Sequence, residues 1–255
     1  MKNFIIIAVL IALKAPAQPP AQTYTIEQTL NTTTVIQSKI PIETFSFLTV
    51  TQEIRLQKAP DGFAADIRTL HMRDSVYANG ETAVYTSQQP PQSLGSRALA
   101  AQMSAVLKVS TNAHGVVQSA TAETSDNITM MLGLIFNSPV AGSVFLYPQV
   151  SSRKKWKENI NVEGVLTKGE YEVSGRGDRL SVRYTTSTEA NEWATTTNGL
   201  AIVDKTTGII LSREEKSVTS AYKEINGHLL PVQIWKEKIE KTKGIEIAKP
   251  VNDTL

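Results

Sequence analysis

Cysteine is absent from this chain, and histidine occurs only as His71, His114 and His228. The first absence excludes disulfides, thiolate metal ligands, a thiol nucleophile and a lipid-modified N-terminal cysteine. An exported domain of this length can manage without disulfides, because it is large enough to bury a core of its own. The three histidines are far apart in sequence, and no H-E-x-x-H, EF-hand or G-x-S-x-G pattern occurs. Neither a base beside a nucleophile nor a metal-ligand set has a signature here, so no catalytic residue, metal ligand or cofactor is assigned. A hydrolase would have to assemble its site from separated segments. Asp61, Asp74, Asp126, Asp178 and Asp204 stand in or near turns, where Asp bonds to neighbouring backbone.

An excess of charge is lacking too. Lys and Arg number 26 against 24 Asp and Glu. Residues 1–17 contain Lys2 and Lys14 and no acid, so without them the count is 24 against 24. A balanced surface offers no argument for nucleic acid or for an anionic membrane.

Long apolar runs are missing except at the start. Met1-Lys2-Asn3 is a short positive segment, Phe4 to Leu13 is apolar, and Ala15-Pro16-Ala17 fits a small-x-small cleavage site. This is the pattern of a secretory signal peptide, with the mature chain beginning near Gln18. The apolar part is too short to anchor in a bilayer, and no other segment is long enough to cross one as a helix. The expected protein is therefore periplasmic or secreted. It divides into a signal peptide at 1–17, one mostly-β domain at 18–243 and a frayed tail at 244–255.

What the sequence has in quantity is alternation. Thr23 to Ile40, Thr44 to Lys58, Phe63 to Val76 and Glu81 to Ser87 read as strands rich in Thr, Val, Ile and Phe. Pro60-Asp61-Gly62 and Asn79-Gly80 separate them as hairpin turns. Apolar parity changes along the second and third of these strands. Phe45 and Phe47 oppose Leu48, Val50, Ile54 and Leu56; Phe63, Ala65 and Ile67 give way to Leu70, Met72 and Val76. Such a change predicts a bulge and a strongly coiled sheet. From Ser93, Leu99, Met103 and Val106 recur at helical spacing. Strand pattern returns at Leu107–Ser110 and Val116–Ala122.

The last hundred residues read as a meander. Trp156 and Ile160, then Tyr171 and Val173, then Leu180, Val182 and Tyr184 each share a face. Turns fall at 175–178, 205–208 and Asn226-Gly227, and Leu230, Val232 and Ile234 alternate with polar residues. Arg176-Gly177-Asp178 spells an adhesion tripeptide but reads as turn chemistry. Arg153-Lys154-Lys155-Trp156-Lys157 is a basic cluster of the kind that guards a strand edge.

Ser125 to Phe136 stands out against this background. Ser125, Asp126 or Asn127 can cap a helix, and Ile128, Met131, Leu132, Ile135 and Phe136 follow at helical spacing. Met130 and Leu134 make the segment apolar nearly all round, so most of its faces must be covered. It reads as core filling under a curved sheet, or as a lid whose Met130, Met131, Leu132, Ile135 and Phe136 face an apolar or lipid-like ligand. The fold expected is mainly β: a curved antiparallel sheet or incomplete barrel, with two short helices packed on or inside it. The function expected is non-enzymatic binding of an apolar or amphipathic ligand in the concavity. The alternative is a structural or interaction module of the cell envelope.

The segment Leu99-Ala100-Ala101-Gln102-Met103-Ser104-Ala105-Val106-Leu107-Lys108-Val109-Ser110, then Gly115-Val116-Val117, Pro148, Trp156 and Thr207-Gly208-Ile209-Ile210, resembles uncharacterised secreted proteins of Bacteroidota-type bacteria. Members often carry Gly-Asp before the Trp, where this chain has Lys154-Lys155. The resemblance brings no catalytic residues. It implies an outline similar to periplasmic lipoprotein carriers, a half-open antiparallel barrel with helices in its mouth.

Overall fold

The computed structural model describes residues 22–88, 90, 92, 94–123, 142, 144–145, 155–162, 165–190 and 192–247. The first half supplies β1 (Gln22–Ile36), β2 (Ile42–Ala59), β3 (Gly62–Ala78), β4 (Glu81–Thr86), α1 (Leu94–Ser104), β5 (Val106–Asn112) and β6 (Val117–Glu123). The second half supplies β7 (Lys155–Val162), β8 (Val165–Arg176), β9 (Arg179–Glu189), β10 (Trp193–Asp204), β11 (Ile210–Ile225) and β12 (His228–Ile247). All strands join one antiparallel sheet in the order β6-β5-β3-β2-β1-β12-β11-β10-β9-β8-β7, with β4 pairing on β3. β1 and β12 pair along nearly their whole length, so the first and last strands lie in the middle of the sheet.

The sheet rolls until its two ends meet. The side-chain amide of Asn112, at the end of β5, donates to Glu158 on β7 at 2.6 Å, and the His114 ring stacks on Trp156 at 5.9 Å. Between the ends, Val144 bridges to Val116, Phe145 N–H donates to the Gly115 carbonyl, and Gly142 N–H donates to the Val117 carbonyl. The result is a nearly closed, barrel-like roll. Its inner and outer faces follow directly from strand alternation.

The core fills one end of the roll. Tyr24, Ile26, Ile54, Leu56, Ala65, Ile67, Val109, Val117, Phe145 and Ile209 form one buried cluster. Val116, Val144, Trp156, Tyr171, Val182, Tyr184, Ala201, Val203 and Ile210 form a second across from it. Leu30, Leu48, Val50 and Met72 form a third, against which Met103 of α1 packs. Tyr184 lies over Gly199, its directly paired neighbour on β10. A tyrosine ring is accommodated there because glycine leaves the inner face empty.

Two expectations need correcting. Parity does shift in β3, where Leu70 is extruded as a bulge between the pairs Thr51–His71 and Gln52–Thr69. In β2 it does not: Phe45 and Phe47 stay on the outer face and are exposed. Residues 244–247, assigned to a frayed tail, are strand, because Gly244 to Ile247 pair with Thr25 to Gln22. Among the described residues there is one helix, α1, and not two. The second expected helix, at 126–136, lies outside the described residues, as do 1–17. Asn226-Gly227 turns between β11 and β12 as expected, with φ of 51° and 75°, the left-handed pair that a two-residue hairpin requires.

The Gly199 contact is directly testable. A first side-chain atom at 199 would stand 2.1 Å from the Tyr184 ring. Gly199→Ala is expected to cost roughly 1–3 kcal/mol through displaced packing, read as a lowered urea midpoint with unchanged slope.

Candidate functional site

Above the apolar core, strand register stacks inward residues into successive tiers, four of which carry the site's chemistry. The deepest runs Val182, Ala201, Arg213, Glu240, Gln28, Val50, Met72 across β9, β10, β11, β12, β1, β2 and β3. The next runs Tyr171, Tyr184, Gly199, Glu215, Lys238, Leu30, Leu48 and Asp74. Arg213 thus faces Glu240, and Glu215 faces Lys238, giving a two-by-two checkerboard of opposite charges on two adjacent strands.

This checkerboard is buried. Arg213 is 2% exposed and Glu240 is 4% exposed. Arg213 Nη2 meets Glu240 Oε2 at 2.5 Å, and Arg213 Nη1 donates to the Val144 carbonyl at 2.7 Å. Lys238 Nζ lies 3.5 Å from Glu215 and 3.7 Å from Glu240. The Gln28 amide donates to Glu240 at 2.8 Å, and the Tyr184 hydroxyl donates to Glu215. Burial alone would raise the Glu215 pKa, but Arg213 and Lys238 pull it down to about 2. Burial, reinforced by Glu215, raises the Tyr184 phenol well above its ordinary value and keeps it a donor. Ala201 and Gly199 on β10 are small, which leaves room for the long charged side chains.

Two further tiers lie toward the other end, and their chemistry changes. The third runs Gly169, Thr186, Thr197, Ser217, Lys236, Thr32, Ser46 and Val76. The fourth runs Thr167, Thr188, Thr195, Thr219, Ile234, Thr34 and Thr44. Hydroxyl pairs lock parts of this wall: Thr167 with Thr188 at 2.9 Å, and Thr195 with Thr219 at 2.7 Å. Most of these residues from β10 round to β2 are half-buried rather than buried. Lys236 projects to the same side as Lys238 and Glu240. It is exposed, yet enough protein surrounds it for desolvation to lower its pKa. That combination belongs to a side chain standing in a walled but open hollow. Asp74, in the second tier, accepts from Ser46 at 2.7 Å, and burial raises its pKa.

The rim at this end is mixed, with large apolar side chains standing among the charged Lys39, Glu43, Glu192, Lys223 and Glu224. Ile40 (81% exposed) lies in the β1–β2 connection, Leu229 (66%) at the start of β12 and Trp193 (38%) at the start of β10, with Tyr222 nearby. A depression of about 500 Å³ opens beside Trp193 and Tyr222. A larger cleft of about 760 Å³ runs over the outward rows of β7–β11. Its Lys155–Glu172, Lys157–Glu170 and Lys216–Glu237 ion pairs offset one another's charge. Lys155 and Lys157 are exposed on the last strand of the sheet, as an edge-guarding cluster should be.

The residues singled out from sequence, Met130, Met131, Leu132, Ile135 and Phe136, lie outside the described residues. His71, His114 and His228 fall on β3, the β5–β6 turn and the start of β12, and are not brought together. Among the described residues no group of acids and histidines could hold a metal ion, and no helix is long and apolar enough to cross a membrane. Sequence reading missed the checkerboard and Lys236. The available signal was the parity of Val232 and Ile234, which, continued along β12, carries Lys236, Lys238 and Glu240 to the inner face.

No protein-family model matches the chain, and no curated protein matches it. Solved structures do. A lipovitellin structure, described for its lipid–protein interactions, superposes with a TM-score of 0.56 at 10% identity. The match covers 91% of this chain and 26% of lipovitellin, so this chain spans about a quarter of that protein. At such identity the likeness is one of fold. The Pseudomonas aeruginosa protein OccK5 (OpdH) matches at 6% identity over 88% of this chain and 98% of its own, but a TM-score of 0.20 carries no argument.

Acid should unpick the checkerboard. The folded pKa of Glu215 lies below its ordinary value of 4.5, so its ion pairing contributes fully above about pH 4.5 and is lost as pH falls toward 2. Roughly 3 kcal/mol of stability should disappear over that window, measurable by urea titration at stepped pH. Arg213→Met should cost roughly 3–5 kcal/mol, because it strands Glu240. Adding Glu240→Leu should recover much of that loss.

Proposed function

We propose that this chain is a non-enzymatic exported protein that binds an apolar or amphipathic ligand inside the roll. The observation carrying the reading is the contrast between the two ends of the inner face. One end is packed with Ile, Val and Tyr; the other is walled but only half-buried, with an exposed inward lysine and exposed Ile40, Leu229 and Trp193 at its rim. A roll closed at one end and open at the other is the shape of a container. Threonine suits such a wall, since each side chain offers both a methyl group and a hydroxyl. The signal-like N-terminus supports export into the periplasm or beyond. In this reading the segment holding Met130, Met131, Leu132, Ile135 and Phe136 covers the ligand.

A second reading has its own support. On the outer face, Tyr77, Phe45, Thr33, Trp235 and Val218 form one row across β3, β2, β1, β12 and β11, and its aromatic and valine members are exposed. An apolar row of this extent suits contact with another protein.

Delipidated protein titrated with fatty acids and analysed by native mass spectrometry is expected to gain mass in stoichiometric steps. Failure to bind any of them leaves the outer row as the working surface. Leu132→Asp separates lid from core. A lid predicts near-normal stability with lost binding, whereas a core helix predicts a loss of roughly 3–5 kcal/mol.

A further inference from the structure

The ligand-binding reading leaves open what kind of head group the container takes, and the inner wall speaks to that. The lysines and arginine at inner positions of β11 and β12 are Arg213, Lys238, Lys236 and, exposed at the far end of β11 opposite Leu230, Lys223. The first two are matched by Glu240 and Glu215 at 2.5–4.0 Å. Lys236 forms no ion pair or hydrogen bond among the described residues. Its cross-strand neighbours are Ser217 and Thr32, and the next tier presents Thr219, Ile234 and Thr34. Its four-carbon stem reaches into the hollow with no acid to meet the ammonium.

We propose that Lys236 is the anchor for the single anionic group, carboxylate or phosphate, of an amphiphile whose acyl chain lies in the hollow. The proposal rests on the ligand-binding reading above and adds the class of ligand. Three features of the wall support it. A lysine held in a walled space, and partly stripped of water, gains more from an incoming anion than a surface lysine does. The hydroxyls of Ser217 and Thr32 on either side can donate to the remaining oxygens of that anion. The methyl groups of the threonine tiers, with Ile234, give the acyl chain apolar contact while the rim residues Ile40, Leu229 and Trp193 receive its far end. A purely apolar ligand would gain the methyl contacts but would leave the ammonium and the hydroxyls beside it poorly solvated.

Isothermal titration of the delipidated full chain with oleate and with methyl oleate tests this, since the ester keeps the acyl chain and replaces the anionic carboxylate by a neutral head one methyl group larger. Oleate is expected to bind about tenfold more tightly than the ester. Lys236→Met should erase the preference, Lys236→Arg should keep it, and Lys216→Met, on the outer face, should leave it unchanged. Sodium acetate should bind far more weakly than oleate. Equal binding of oleate and ester to the unaltered protein overturns the assignment of Lys236 while leaving a ligand-binding protein. So does a preference that survives in Lys236→Met. If neither ligand binds, the container reading itself fails, and the anchor fails with it.

Discussion

The guanidinium of Arg213 joins three parts of the molecule that are distant in sequence. It belongs to β11, pairs with Glu240 of β12, and donates to the carbonyl of Val144, which itself bridges to Val116. Glu240 in turn receives Gln28 from β1. Moving such charges out of water costs several kcal/mol per ion unless partners replace the lost solvation. Here a carboxylate meets each cation and a tyrosine hydroxyl meets Glu215, while the buried Nε of Arg213 is left without a hydrogen bond among the described residues. Removing any one member leaves another charge buried and unmatched. The arrangement therefore fixes register more than it adds strength: a one-residue slip of β12 would carry Lys238 and Glu240 to the outside and put Ile239 against Arg213.

Below this layer the roll is an ordinary apolar core; above it the wall turns to hydroxyls. The change happens over two tiers of strand pairing, on the same strands, without a break in the sheet. One ladder thus serves two purposes. Its packed end closes the roll through Phe145, Val116 and Trp156, and its other end remains a lined space. The outer face inverts this distribution, with Phe45, Tyr77 and Trp235 in water beside cross-strand ion pairs. Both faces of the long strands are therefore chemically mixed, which explains why simple alternation misjudged β2.

Much of the strand order was legible in advance. The turns at 60–62, 79–80, 177–178, 205–208 and 226–227 all carry residues that favour a left-handed or tight backbone, and each falls where β-strands reverse. The bulge in β3 showed itself through the jump from Ile67 to Met72. The inner charges did not, because alternation sorts residues by polarity and places a lysine outside by default. Neither Lys236 nor Glu240 differs in composition from a solvated strand residue; only the register with β11 and β1 makes them inward.

What the sequence alone determined was local: β-strands wherever Thr, Val and Ile alternate, reversals at Asn-Gly and Asp-Gly, a helix after Ser93 carried by Leu99 and Met103, and a signal-like start. Those choices depend on side-chain sterics and on backbone freedom within a few residues. What the tertiary structure decided was which face became the inside, because that follows from how twelve strands coil and which edges meet. Coiling set Arg213 opposite Glu240 and left Lys236 without a mate. No local rule contains that information, since the interaction energy of a charge depends on the solvent around it, and the solvent is excluded only once the roll has closed.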